Sequence, residues 1–167
     1  MLKTAGAILI GAVFVYAGFH RASMLTHRAR LLQVFLGAIG QARQEIGTRL
    51  TALPELLGRL KADQPELAGF FSHIERVWTR EDYLGFAGAW REALIPLNLS
   101  AEDRALLGEA GGALGRYDAG TQAAALERVG AALERQHEAA KDSAGKNGRI
   151  NRILGVAAGV MAVILIL

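Results

Sequence analysis

Apolar residues gather at both ends of this chain and recur at helical spacing between them. Residues 4–19 are almost wholly apolar, and from Ile153 to Leu167 there is no charged or strongly polar side chain. After the first run, Leu31, Leu32, Phe35, Leu36, Ile39 and Ile46 repeat at three and four, the period of an amphipathic helix. This predicts one helix continuous with the first apolar run and ending near Arg49. Leu53, Leu56, Leu57 and Leu60 mark a short second helix, with Thr51 as its cap and Pro54 tolerated in its first turn. Asp63-Gln64-Pro65 ends it. Pro65 opens a helix that turns Leu67, Phe70, Phe71, Ile74 and Val77 or Trp78 inward. Thr79, followed by Glu81 and Asp82, reads as a cap with acids in the first turn, where the helix dipole favours them. Tyr83, Phe86, Ala87, Trp90 and Leu94 continue that stripe to Pro96. Ser100, Glu102 and Asp103 repeat the capping logic before Leu106, Leu107, Ala110 and Leu114, and Gly115 is placed to end that helix. Tyr117-Asp118-Ala119-Gly120 is a turn with Thr121 as the next cap. A long helix striped by Leu126, Val129, Leu133 and Ala140 then runs to about Ala144, and Gly145 and Gly148 are expected to loosen its junction with the last apolar run. No segment alternates as a strand does. The fold class is all-α: a bundle of about six helices between an N-terminal and a C-terminal transmembrane helix. The domains divide as residues 1–20, 21–148 and 149–167.

Charge orients this hairpin. Arg21, Arg28 and Arg30 follow the first apolar run, and Lys146, Arg149 and Arg152 precede the second. Basic residues on both inner flanks keep the central domain cytoplasmic and send both termini to the far side. Each run is short: about 16 residues cover about 24 Å of a hydrocarbon core of roughly 30 Å. Pairing of the two helices would relieve the mismatch. Gly155 and Gly159 form a GxxxG step, and Ala7 and Gly11 are its weaker counterpart. A cleaved signal peptide ending near Val15-Tyr16-Ala17 is the competing reading of the first run, but Arg21, His27, Arg28 and Arg30 follow at once and oppose export. The net charge of +3 is largely juxtamembrane. It fits topology and anionic lipid, and no arginine-rich run with interleaved aromatics points to nucleic acid. The absence of cysteine removes a disulfide framework and thiolate metal sites.

Little in the chain suggests chemistry. His20, His27, His73 and His137 are isolated, and Glu81/Asp82 and Glu102/Asp103 sit behind capping residues. Gly108, Gly111, Gly112 and Gly115 follow no strand and precede no Gly-Lys-Ser or Gly-Lys-Thr, so close helix packing and a turn account for them better than a phosphate loop. No catalytic, cofactor-binding or metal residue is assigned, and the expectation is a protein that is not an enzyme.

Five segments carry a family resemblance. They are the start M-L-K-x-x-G-A-I-L-I-G, E-I-G-T-R-L-T-A-L-P-E-L-L-G-R-L at residues 45–60, G-A-W-R-E-A-L at 88–94, E-D-R-A-L-L-G-E-A-G-G-A-L-G-R-Y-D at 102–118 with Gln122, and the tail from Lys146. In this order they resemble the stage III sporulation protein AB family. Arg49 and Ala52 depart from its usual pattern, as does the glycine-rich stretch from Gly108 to Gly112. The resemblance implies a fold similar to the cytoplasmic domain of type II secretion and type IV pilus inner-membrane platform proteins. It implies a place in the mother cell–forespore channel of endospore formers, in the mother-cell membrane around the forespore. The implied partners are a secretion-type ATPase (stage III sporulation protein AA-like), other channel membrane proteins and the lipid bilayer. The turns matching the family pattern are candidate partner surfaces: Glu45, Thr51 and Pro54 at one corner, Gly115, Asp118 and Gln122 at another. The alternative is a small oligomeric pore or membrane-remodelling protein acting through its two anchors.

Overall fold

The structure, a computed structural model, describes residues 2–79 and 85–166, with the backbone alone for residues 2–5, 7, 8 and 166. It is all-helical over these residues, in the order α1 (Leu2–Arg49), α2 (Leu53–Asp63), a single 3-10 turn (Pro65–Leu67), α3 (Ala68–Trp78), α4 (Gly85–Leu94), α5 (Ala101–Ala113) and α6 (Ala119–Ile166). The helices form two units, Leu31–His137 and the pair Met1–Arg30 with Glu138–Leu167, and α1 and α6 contribute to both.

The expected elements are present, and several of their ends differ in chemistry. Residue 52, not Thr51, is the N-cap of α2, without a side-chain cap; the Thr51 hydroxyl is committed elsewhere. Thr79 closes α3: its hydroxyl donates to the carbonyls of Glu75 and Arg76 at that C-terminus. Glu81, Asp82 and Tyr83 lie outside the described residues. Ser100 does build a capping box with Asp103. At the start of α6 the capping side chain is Asp118, which accepts from the Thr121 N–H and hydroxyl, so Thr121 is the donor and not the cap. No break falls at Gly145–Gly148, because α6 is continuous through it. Gly148 is buried against Ala22, and this close approach accounts for a glycine inside a helix.

The core of the Leu31–His137 unit is an aromatic cluster. Phe35 of α1, Phe70 and Phe71 of α3, and Phe86 and Trp90 of α4 meet at ring-centroid distances of 4.9 Å (Phe70–Trp90), 5.2 Å (Phe35–Phe70) and 5.8 Å (Phe86–Trp90). The offset and edge-on geometries are the favoured ones for aromatic pairs. The buried Trp90 indole donates to the Leu107 carbonyl of α5 at 2.8 Å. Gly111, one turn on, leaves the space that the Trp90 ring occupies. Leu56, Leu57, Leu60, Leu107, Leu126 and Leu133 fill the remaining interior.

In the other unit the ends of α1 and α6 form an antiparallel pair. Each helix is long and apolar enough in one stretch to cross a membrane. Glycine is found where they touch. A Cβ on Gly18 would lie 2.6 Å from the Asn151 carbonyl oxygen and 2.9 Å from the Gly155 Cα, and one on Gly159 would lie 2.8 Å from the Gly11 carbonyl oxygen. Backbones that come this close need small residues, the usual device of membrane helix pairs. Leu9, Val13, Tyr16, Ile153, Leu154, Met161 and Ile164 point outward, as side chains facing lipid do.

Candidate functional site

The two family-patterned corners are built by local chemistry. At the end of α1 the Glu45 side chain turns inward and is only 9% exposed. Its carboxylate accepts from Arg49 at 2.7 Å, from the Thr51 hydroxyl at 2.9 Å and from Arg59 of α2 at 3.0 and 3.2 Å. Arg59 also bonds Glu55 at 2.8 Å. Burial raises the Glu45 pKa, but the Thr51 hydroxyl and the Arg49 and Arg59 guanidinium groups outweigh it and hold the carboxyl below its ordinary value. The Glu55 hydrogen bond and the two carboxylates push Arg59 up.

This network brackets a reversal of the chain. Arg49 and Thr51 both bind Glu45, and the Thr51 N–H bonds back to the Glu45 carbonyl at 3.3 Å. Between them Leu50 takes φ +54°, the one positive φ of a non-glycine among the described residues, and the residue is 73% exposed. A left-handed leucine costs about 1–2 kcal/mol relative to right-handed backbone, and glycine or asparagine is usual at this position. Pro54 sits in the first turn of α2, where its missing N–H goes unneeded.

The second corner joins α5 to α6. Gly115 has φ +74°, and its N–H donates to Gln122 Oε1 at 3.1 Å while Gln122 Nε2 donates to the Tyr117 carbonyl. The Asp118 carboxyl is lowered by the Thr121 hydroxyl and N–H that it accepts. Sequence spacing says nothing about how the corners relate. The structure puts them side by side: the space beside Gly115 is taken by the Leu53 side chain, and Gly47 of α1 faces Ala123 of α6. The exposed Leu50 and Tyr117 flank this contact in the chain.

The other predicted residues fall as follows. In the pair formed by the ends of α1 and α6, Gly11, Gly155 and Gly159 lie in the seam, and the side chain of Ala7 lies outside the described residues. Gly18 is the seam residue that the four-residue motif overlooks; it stands seven from Gly11, two turns along the same face. Arg21 and Arg149 are exposed, Arg28 is partly covered and Arg30 exposed. Lys146 pairs with Asp142 at 3.7 Å, and Arg152 donates to the Gly148 carbonyl at 3.2 Å. Among the described residues no three His, Asp or Glu side chains are grouped to hold a metal. His73 meets Glu92 at 3.2 Å as a single pair between α3 and α4. Of the glycines in α5, Gly111 serves close packing, whereas Gly112 has open space beside it. Gly88, Ile95, Ala105 and Gly108 line an open cleft between α4 and α5 that the sequence did not single out.

No curated protein and no solved structure matches the chain. The model of the stage III sporulation protein AB family matches residues 3–167, and the chain belongs to that family of sporulation proteins.

Proposed function

We propose that this protein is a non-enzymatic membrane adaptor of the mother cell–forespore channel that docks a secretion-type ATPase at the membrane. The central helices face the mother-cell cytoplasm, both termini lie on the far side, and the paired corners receive the ATPase. The observation that carries this reading is the Leu53–Gly115 contact, which joins two turns of the family pattern into one surface whose polar groups are satisfied from within. Such a corner is held in a single conformation before a partner arrives, so less entropy is lost on binding.

The test is co-elution and calorimetry of the full chain in lipid nanodiscs with the purified ATPase. Saturable binding at micromolar concentration or below is expected. Asp118→Ala, which removes the cap of α6 at the corner, is expected to weaken it by about tenfold, with helical content unchanged. A folded wild-type chain that fails to bind sinks the reading. A pore or remodelling protein acting through its anchors would instead keep ATPase binding untouched when Gly155→Leu wedges the seam.

A further inference from the structure

We infer that Leu50 is the anchor of the docking corner, an apolar side chain held out in strained backbone to enter an apolar, acid-rimmed pocket on the protein partner. The inference rests on the docking reading and deepens it. Three observations meet at this residue. Its φ of +54° is unfavourable for leucine, and nothing inside the fold requires leucine there, since the residue is 73% exposed. Glycine or asparagine would make the same reversal with less strain. The conformation is enforced from both sides, because Arg49 and Thr51 are tied to one buried carboxylate, Glu45, which Arg59 also clamps. Strain that surrounding structure over-determines collects at functional positions.

The charge around Leu50 describes the partner. The Glu45 side chain is 9% exposed, while the Arg49 side chain that pairs with it is 59% exposed. Arg59 is shared with the exposed Glu55, and Arg116 is exposed beside Tyr117. A partner approaching Leu50 therefore meets the exposed side chain of its chain neighbour Arg49, while the carboxylate that balances Arg49 is buried. A pocket with carboxylates on its rim complements this surface, and a single well-packed apolar side chain at its centre is the usual form of a binding hot spot.

Leu50→Gly separates anchor from structure because the two readings predict opposite signs. In the full chain in nanodiscs, Leu50→Gly is expected to raise the Tm by a few degrees, by relieving strain, and to weaken ATPase binding at least about tenfold. Leu50→Asn, which tolerates the left-handed conformation and replaces the apolar group, is the second variant and is expected to lose binding likewise. Arg49→Gln is expected to flatten the salt dependence of binding. Wild-type affinity in both Leu50 variants overturns the anchor while leaving the docking reading standing. Failure of the wild-type chain to bind overturns both.

Discussion

Gly111 and Glu45 show how single residues set the shape of this fold. Gly111 is where the Trp90 ring lies against α5. Gly111→Ala places a methyl group inside that ring's volume, and overpacking of this kind costs about 1–3 kcal/mol. A Tm drop of several degrees in thermal melts, with no loss of helical content at low temperature, is the expected result. Glu45 ties the last turn of α1 to α2. Its pKa is lowered in the folded chain, so the ionised group stabilises the fold above its ordinary value of 4.5, and that contribution disappears as pH falls through the lower folded-state value. Thermal melts of the wild type and Glu45→Gln should therefore differ at about pH 6, with the variant lower, and the difference should shrink as the pH is taken below 4.5. A constant difference across that range would show that the carboxylate's charge is not what matters.

At the scale of elements, the antiparallel pair of α1 and α6 offers a direct distance test. A Cβ on Gly148 would lie 3.8 Å from the Ala22 Cβ, within the span a disulfide bridges. The chain has no cysteine, so the double substitution Ala22→Cys, Gly148→Cys should cross-link within one chain on mild oxidation, seen as a mobility shift on a non-reducing gel. Adding Gly155→Leu, which pushes a side chain into Gly18, is expected to cut the yield severalfold. The identity and order of the helices were legible in sequence because three-and-four spacing survives any tertiary arrangement. Their ends were less so. Thr51 and Thr121 have the residue type and position of caps, yet one bonds Glu45 and the other donates to Asp118. Capping chemistry is shared by neighbouring hydroxyls and carboxylates, and spacing alone does not say which of them accepts. Gly145 and Gly148 read as a break for a similar reason: a glycine between helices and a glycine within a helix contact look alike until the partner helix is seen.

For the whole molecule, the distribution of charge predicts orientation. Residues 1–44 hold no acid, nor do residues 143–167, so both apolar runs carry an excess of basic residues on their inner flanks, the pattern that sets topology. Single cysteines introduced at Lys3 and at Ser100 should label from opposite sides of the membrane in oriented vesicles. Labelling of both from one side would refute the proposed hairpin topology. The same charges suit an anionic lipid surface, to which juxtamembrane arginine is attracted within a Debye length.

The sequence by itself determined the all-helical class, the two apolar ends with their basic flanks, and the helix cap at Ser100. Each depends only on residues a few positions apart along one helix, where the physics is local. Only the tertiary structure decided that Arg59 reaches Glu45 across fourteen residues, that Gly18 joins Gly11, Gly155 and Gly159 in the seam, and that Leu53 and Gly115 join two distant turns into one corner. Those pairings are set by how helices pack against one another. The conformation of Leu50 follows from them, since its backbone is fixed by bonds its two neighbours make to a carboxylate that the fold has buried.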